Sequence, residues 1–258
     1  MDLGLAEKRV VITGGSKGIG LAIAKHFVEE GATVTLVARD AAALADAKAQ
    51  IDGSGKTVDV VAADLGTDAG RQMLFEMCPD PDILVNNAGA IKGGGIADLS
   101  MQDWREGWEL KVFGYIHLCK LYIDGMAKRE SGTIINIIGM GGRHTIPGYI
   151  CGAAGNAALI GFTQALGAET PGYNVRVFGI NPSPTITGRM VSLLQSRAER
   201  ELGDADRWQE LIDDTKLPFG RMKQPDEVAA LAVMLASERV HYLSGTVVDM
   251  DGGGRWKR

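Results

Sequence analysis

The octapeptide Thr13-Gly14-Gly15-Ser16-Lys17-Gly18-Ile19-Gly20 spaces its glycines in a way suited to phosphate binding. Gly14 and Gly20 permit a tight turn and close packing, and Gly18 carries no Cβ to block an approaching pyrophosphate. Arg9 to Thr13, just before, reads as a buried strand. The residues from Leu21 to Glu30 read as a helix with Ile19, Ala22, Ile23, Phe27 and Val28 along one side. A strand, a glycine turn and a helix start together direct free N–H groups and a partial positive charge at an anion. Three residues separate Gly14 from Gly18, where G-x-G-x-x-G has one, and an ordinary glycine-rich strand–helix turn is the plainer alternative. A second strand over 33–37 ends in Ala38-Arg39-Asp40. A carboxylate in that place would bind the adenosine ribose of NAD. Here alanine stands at 38 and a guanidinium follows, so Arg39, with Ser16 and Lys17, is expected to pair with a 2′-phosphate. NADP(H) is therefore favoured over NAD(H), with Asp40 as the countersign. The alternative for Lys17 and Arg39 is plain surface charge.

These residues must be positioned by a larger frame. Further strands are expected over 57–62, 82–86, 133–138, 175–180 and 246–250, and helices over 41–51, 67–77, 101–129, 150–168 and 225–236. Seven apolar strands alternating with helices imply an α/β Rossmann-type doubly wound domain, its parallel sheet covered on both faces. The 258 residues suit one such domain over 1–258. Net charge is −5 and no basic run stands out, so no nucleic-acid partner is expected. No signal peptide or stretch of 18 apolar residues is read, which points away from a membrane. Cys78, Cys119 and Cys151 have neither metal spacing nor even pairing. The chain is expected to be cytoplasmic with reduced thiols and no metal. The short tail 255–258 is expected to fray. A charged helical stretch over 187–220, with Trp208 and Leu211, interrupts the alternation after a strand end. It reads as a mobile lid over a substrate pocket, or else as a surface helical hairpin.

Four motifs in order resemble the short-chain dehydrogenase/reductase superfamily over essentially the whole chain. Thr13–Gly20 is similar to T-G-x-x-x-G-x-G, and Asn86-Asn87-Ala88-Gly89 matches N-N-A-G. Asn181-Pro182-Ser183-Pro184 with Thr187 is similar to N-P-G-x-x-x-T, with serine for glycine. Ser244 to Gly253 resembles the segment that closes the sheet and packs on a partner subunit. The resemblance implies that Gly14, Ser16, Lys17, Gly18, Ile19 and Gly20 hold the pyrophosphate side and that Arg39 meets the 2′-phosphate. Asp64 and Leu65 would flank the adenine, and Asn87, Ala88 and Gly89 would line the ribose. Pro182, Thr185 and Thr187 would border the nicotinamide. It also implies a homotetramer, or a heteromer with an active paralogue, and hydride transfer to or from the carbonyl or alcohol of an unidentified small molecule.

The family's catalytic Asn-Ser-Tyr-Lys set does not carry over. Placed by local landmarks, the serine falls on Gly139, the tyrosine on Gly152, the lysine on Asn156 and the asparagine on Lys111. A positioned acid/base is worth roughly 10²–10⁴ in rate, so the ordinary mechanism is not expected. A rebuilt site would draw on Tyr149, one helical turn before Gly152, on Lys111 as cation, and on His144 or Arg143 as oxyanion donors. Tyr149 as a wall residue and Lys111 as a satisfied buried charge are the plainer alternatives. Cys151, near a helix start, is either a thiol of lowered pKa or an inert buried cysteine. Three functions follow: an atypical NADP(H)-dependent oxidoreductase, a non-catalytic cofactor-holding subunit or sensor, and a non-redox lyase or hydrolase. The first is preferred, because an unused cofactor half has no evident reason to stay so complete.

Overall fold

Strands and helices alternate from end to end in the computed structural model, which describes residues 1–52 and 58–254. In chain order they are β1 (Arg9–Thr13), α1 (Gly18–Glu29), β2 (Thr33–Ala38), α2 (Ala41–Asp52), β3 (Val58–Ala62), α3 (Asp68–Met77) and β4 (Ile83–Asn86). Then come α4 (Met101–Trp108), α5 (Gly114–Lys128), β5 (Gly132–Ile137), α6 (Ile150–Glu169), β6 (Val175–Pro182), α7 (Gly188–Leu202), α8 (Pro225–Ala236) and β7 (Val247–Met250). The strands form one seven-stranded sheet in the order β3-β2-β1-β4-β5-β6-β7, every pair parallel. The order reverses between β1 and β4, and that switch opens a crevice at the carboxyl ends of the strands.

Two-residue periodicity explains why both faces are apolar. Val10, Ile12, Val34, Leu36, Ile83 and Val85 pack with Ile23 and Phe27 of α1 and Val228 and Val233 of α8. Val11, Val37, Leu84 and Ile134 turn the other way, onto Leu74 of α3 and Leu118, Tyr122 and Met126 of α5. Each strand thus feeds two cores, which is why its sequence reads as a continuous apolar run.

The structure adjusts some expected boundaries. α1 begins at Gly18, so Gly18, Ile19 and Gly20 belong to the helix itself. Residue 57 of the expected third strand and the tail 255–258 lie outside the described residues. The stretch 187–220 is α7 followed by short 3-10 turns. The segment Ile150–Tyr173, which contains α6, is long and apolar enough by length and composition to cross a membrane, although polar residues such as Asn156 and Gln164 interrupt it, and half of its most apolar stretch is buried inside the fold.

The expected helix over 101–129 is interrupted by a π-turn over Glu109–Phe113. Such a turn rotates the side chains that follow and is common at functional sites. Arg71 of α3, buried with its side chain 2% exposed, braces it. Its Nη1 donates to the Leu65 carbonyl at 2.9 Å and to the Glu109 carbonyl at 3.1 Å. Its Nη2 donates to Glu109 Oε1 at 2.7 Å and to Asp68 Oδ1 at 2.6 Å, and its Nε to His117 Nδ1 at 3.0 Å. Arg71→Met removes donors from two carbonyls inside the fold. It is expected to cost roughly 3 kcal/mol in urea unfolding; a loss below about 0.5 kcal/mol would show that the brace is dispensable.

Candidate active site

Side chains at the strand ends lash the crevice together. Thr13 Oγ1 accepts from the N–H groups of Asn87 (2.9 Å) and Ala88 (3.0 Å) and donates to the Val85 carbonyl (3.3 Å). Asn87 Nδ2 returns bonds to the carbonyls of Thr13 (3.0 Å) and Gly14 (3.1 Å). β1 and β4 are thereby joined at the point where the sheet order reverses. Gly14 sits at φ +65° with its N–H on the Val37 carbonyl, and Gly18 at φ +58°. A Cβ on Gly20 would overlap the Gly14 carbonyl and stand 2.5 Å from Asn87 Nδ2. Lys17, the residue before α1, provides no side-chain cap, so the first N–H groups of that helix face the crevice.

The crevice holds a cavity of about 1120 Å³. Its walls include Gly14, Ser16, Lys17, Gly18, Ile19, Arg39, Leu65, Asn87, Ala88, Gly89, Pro182, Thr185 and Thr187, with Lys111, Tyr149 and Asn156 further in and His144 at the rim. Two residues expected at the cofactor do not line it. Gly20 is packed beneath the turn, as its close contacts require. Asp64 bends back on its own loop, accepting from the Gly66 N–H at 3.0 Å. Asp40 lines the cavity, but its Oδ1 accepts from the N–H groups of Ala42 (3.0 Å) and Ala43 (3.1 Å). That carboxylate is committed to the start of α2. Arg39 and Lys17 are exposed and form no ion pair among the described residues.

The deep end is built from glycines that make room for unusual neighbours. Tyr149 precedes α6, and its ring lies over Gly152, where a Cβ would overlap the ring and stand 2.5 Å from the phenol oxygen. Gly141 flanks the same ring. Gly139, after β5, is held at φ +131°, a conformation that side chains rarely adopt, and a Cβ there would stand 3.1 Å from Asn156 Nδ2. Asn156 is buried, and its Oδ1 has no hydrogen-bond partner among the described residues. From the π-turn, the Lys111 chain crosses bare Gly89, where a Cβ would lie 2.9 Å from Lys111 Cδ, and its Nζ donates to the Ile138 carbonyl at 2.6 Å.

Burial, and secondarily the charge of Arg189, lower the Lys111 ammonium to about 8. Burial raises the Tyr149 phenol, so it stays protonated at neutral pH and can donate. No hydrogen bond joins Tyr149 to Lys111 among the described residues; the two face the cavity separately. The His144 side chain is exposed at the rim, its backbone N–H on the Met140 carbonyl. Arg143 turns to Asp249 at 3.6 Å rather than into the site. Cys151 is buried and burial raises its thiol, which removes the reactive-cysteine alternative.

Sequence reading missed two cations. Arg189, in the first turn of α7, reaches across the cavity to the carbonyls of Gly89 (3.3 Å) and Ile91 (2.9 Å). Lys223 donates to Ser183 Oγ at 2.8 Å and to the Met250 carbonyl. The serine at 183, where glycine was expected, was the one signal pointing to Lys223. Lys216, Leu217, Pro218 and Phe219, from the end of the 187–220 stretch, also line the cavity.

The sequence model for the family described as short chain dehydrogenase matches residues 8–198. The chain is 32% identical over 259 positions to "Uncharacterized oxidoreductase YvrD" of Bacillus subtilis, covering 98% of each. It is 32% identical to the 3-oxoacyl-(acyl-carrier-protein) reductase FabG of Chlamydia trachomatis, covering 96% of this chain and 98% of the relative. Among solved structures, L-sorbose reductase from Gluconobacter frateurii, complexed with NADPH and L-sorbose, superposes with a TM-score of 0.91 at 33% identity, over 100% of both chains.

Holding a charged lysine inside the fold carries a pH signature. The folded-state value of about 8 lies below the ordinary 10.5, so the cost is full below pH 8 and fades as pH rises towards 10.5. Relative to Lys111→Met, the wild type should gain stability between pH 8 and 10.5 in paired urea unfolding curves. A difference that stays flat with pH would mean that Lys111 titrates normally.

Proposed function

Starting from the fact that this chain belongs to the short-chain dehydrogenase family, we propose that it is an NADP(H)-dependent reductase of a carbonyl compound, working with a rebuilt proton-donor set. Membership makes it an NAD(P)-dependent oxidoreductase by kind. The choice of NADP(H) is carried by the commitment of Asp40 to α2, which leaves Arg39 and Lys17 as unpaired cations on the cavity wall. Bare Gly14 and Gly18 and the uncapped start of α1 suit the pyrophosphate, with Ser16 and Ile19 beside them. Leu65 would face the adenine, Asn87, Ala88 and Gly89 a ribose, and Pro182, Thr185 and Thr187 the nicotinamide.

When bound, the cofactor supplies a hydride to the substrate carbonyl carbon. The chain's own task is to hold the carbonyl oxygen and give it a proton. The Lys111 ammonium, lowered to about 8, is an acid matched to neutral pH. Its proton passes to the oxygen, and solvent restores it. The Tyr149 phenol, kept protonated by burial, donates a hydrogen bond to the same oxygen. His144 at the rim exchanges protons with solvent. The glycines at 139 and 152 leave the space that the usual side chains of this family would fill.

A second reading is a cofactor-holding subunit without turnover. It is favoured by the bond from Lys111 to the Ile138 carbonyl, which must loosen for proton transfer. For assembly we expect a homotetramer of the 27.4 kDa chain, with a heteromer alongside an active relative as the alternative that light scattering separates.

Two experiments decide between these readings. In fluorescence titrations NADPH should bind about tenfold more tightly than NADH, and Arg39→Ala should erase the preference; equal affinities would reject the assignment to NADP(H). Against a carbonyl panel, Tyr149→Phe and Lys111→Met should each lower kcat by roughly 10² or more. Unchanged rates would remove both residues from the chemistry, and cofactor binding without any turnover would favour the non-catalytic reading.

A further inference from the structure

Lys111, desolvated at the deep end of the cavity, and Arg189, exposed on its wall in the first turn of α7, are two cations of which neither is ion-paired among the described residues. The guanidinium of Arg189 rests on two neutral carbonyls, Gly89 at 3.3 Å and Ile91 at 2.9 Å. The ammonium of Lys111 rests on a third, Ile138 at 2.6 Å. They are near enough that the charge of Arg189 disfavours protonation of Lys111 and favours ionisation of Tyr149. Lys17 and Arg39, also unpaired among the described residues, stand by the glycine turn and the end of β2, where the cofactor is proposed, and the cavity's remaining cations differ: Lys216 is paired with Asp213 at 2.9 Å. Arg221 is paired with Glu227 at 2.7 Å, and Arg143, beside the rim, lies 3.6 Å from Asp249. Lys223 feels both Glu227 and Asp251. Positive charge is therefore neutralised towards α8 and the end of β7 and left bare around Lys111 and Arg189.

Two like charges lining one cavity repel, and an anion held between them relieves that repulsion. Arg189 uses one Nη1 and one Nη2 hydrogen on the carbonyls, so its other donors are free for a planar anion. Arg189 comes from α7 and Lys111 from the π-turn, and both lie against Gly89, so one end of a small molecule can be held by the guanidinium while its carbonyl faces the proton donors.

We propose that the substrate carries an anionic group, a carboxylate or phosphate, which Arg189 binds while Lys111 faces the carbonyl oxygen of the same molecule. The inference rests on the reductase reading for the role of the carbonyl, but the anion site itself is independent of turnover. The cofactor's pyrophosphate has the same chemistry, so the test separates the two sources.

Isothermal titration of the full-length protein, with and without NADP⁺, uses two matched pairs of probes: acetoacetate against acetoacetamide, and dihydroxyacetone phosphate against dihydroxyacetone. At least one anion should bind about tenfold more tightly than its neutral partner. The ratio should fall to near one in Arg189→Gln and be partly retained in Arg189→Lys, with NADPH affinity within about twofold of wild type in both. Neutral probes binding as well as anions, no binding by any probe, or an unchanged ratio in Arg189→Gln would each overturn the proposal. So would a large loss of NADPH affinity in Arg189→Gln without a change in the ratio, which would assign Arg189 to the pyrophosphate. Preferential anion binding without NADPH turnover would sink the reductase reading and leave the anion site standing.

Discussion

The structure depends first on the bond between two strand ends. Parallel strands stop at their carboxyl ends with unpaired backbone groups, and at the β1–β4 switch the neighbouring loops part in opposite directions. Thr13 and Asn87 close that gap with five hydrogen bonds. The device continues along the sheet. Asn86 donates to Asn136 at 2.9 Å, and Asn136 to Thr163 of α6 at 3.0 Å. Further along, Asn181 accepts from the Gly139 N–H at 3.3 Å and donates to Asp249 at 2.7 Å. A row of short amide side chains thus fixes the floor of the cavity from β1 to β7. Their buried placement makes each bond hard to replace, because a lost partner leaves a polar group without water.

On that floor, large side chains and bare glycines fit one another in space. Tyr149 has its ring where Gly152 lacks a side chain. Lys111 crosses the bare face of Gly89. Asn156 lies against Gly139, and Ser183 accepts from Lys223. A side chain added at Gly89 or Gly152 would therefore meet an occupied space, and one at 139 an unfavourable φ. The π-turn and Arg71 bring Lys111 to its place, so the lysine depends on an ion network outside the cavity that is centred on the buried Arg71.

The fold was legible because it is carried by local signals. Apolar runs of strand length located the seven strands within two residues, and helical periodicity located most of the helices. The glycine turn and the Asn86–Gly89 motif located the crevice, since both act through backbone geometry next to them in sequence. What sequence could not reveal depends on side-chain direction. Asp40 reads as a sign against NADP(H) until its oxygen is seen on the start of α2. Asp64 reads as an adenine neighbour until it turns onto Gly66. Arg189 touches residues about a hundred positions away, and nothing near it in the chain announces that reach. The π-turn carries no breaker residue and reads as unbroken helix.

The most direct test of the rebuilt proton-donor set is a crystal structure of the protein with NADP⁺. The measured quantity is the distance from the nicotinamide C4 to the Tyr149 phenol oxygen and to Lys111 Nζ. A carbonyl in hydride-transfer contact, plus one hydrogen bond, limits a working donor to roughly 7 Å from C4. At least one of the two inside that limit is the result this account predicts. Both outside it, or a nicotinamide that does not enter the deep end, would contradict the account.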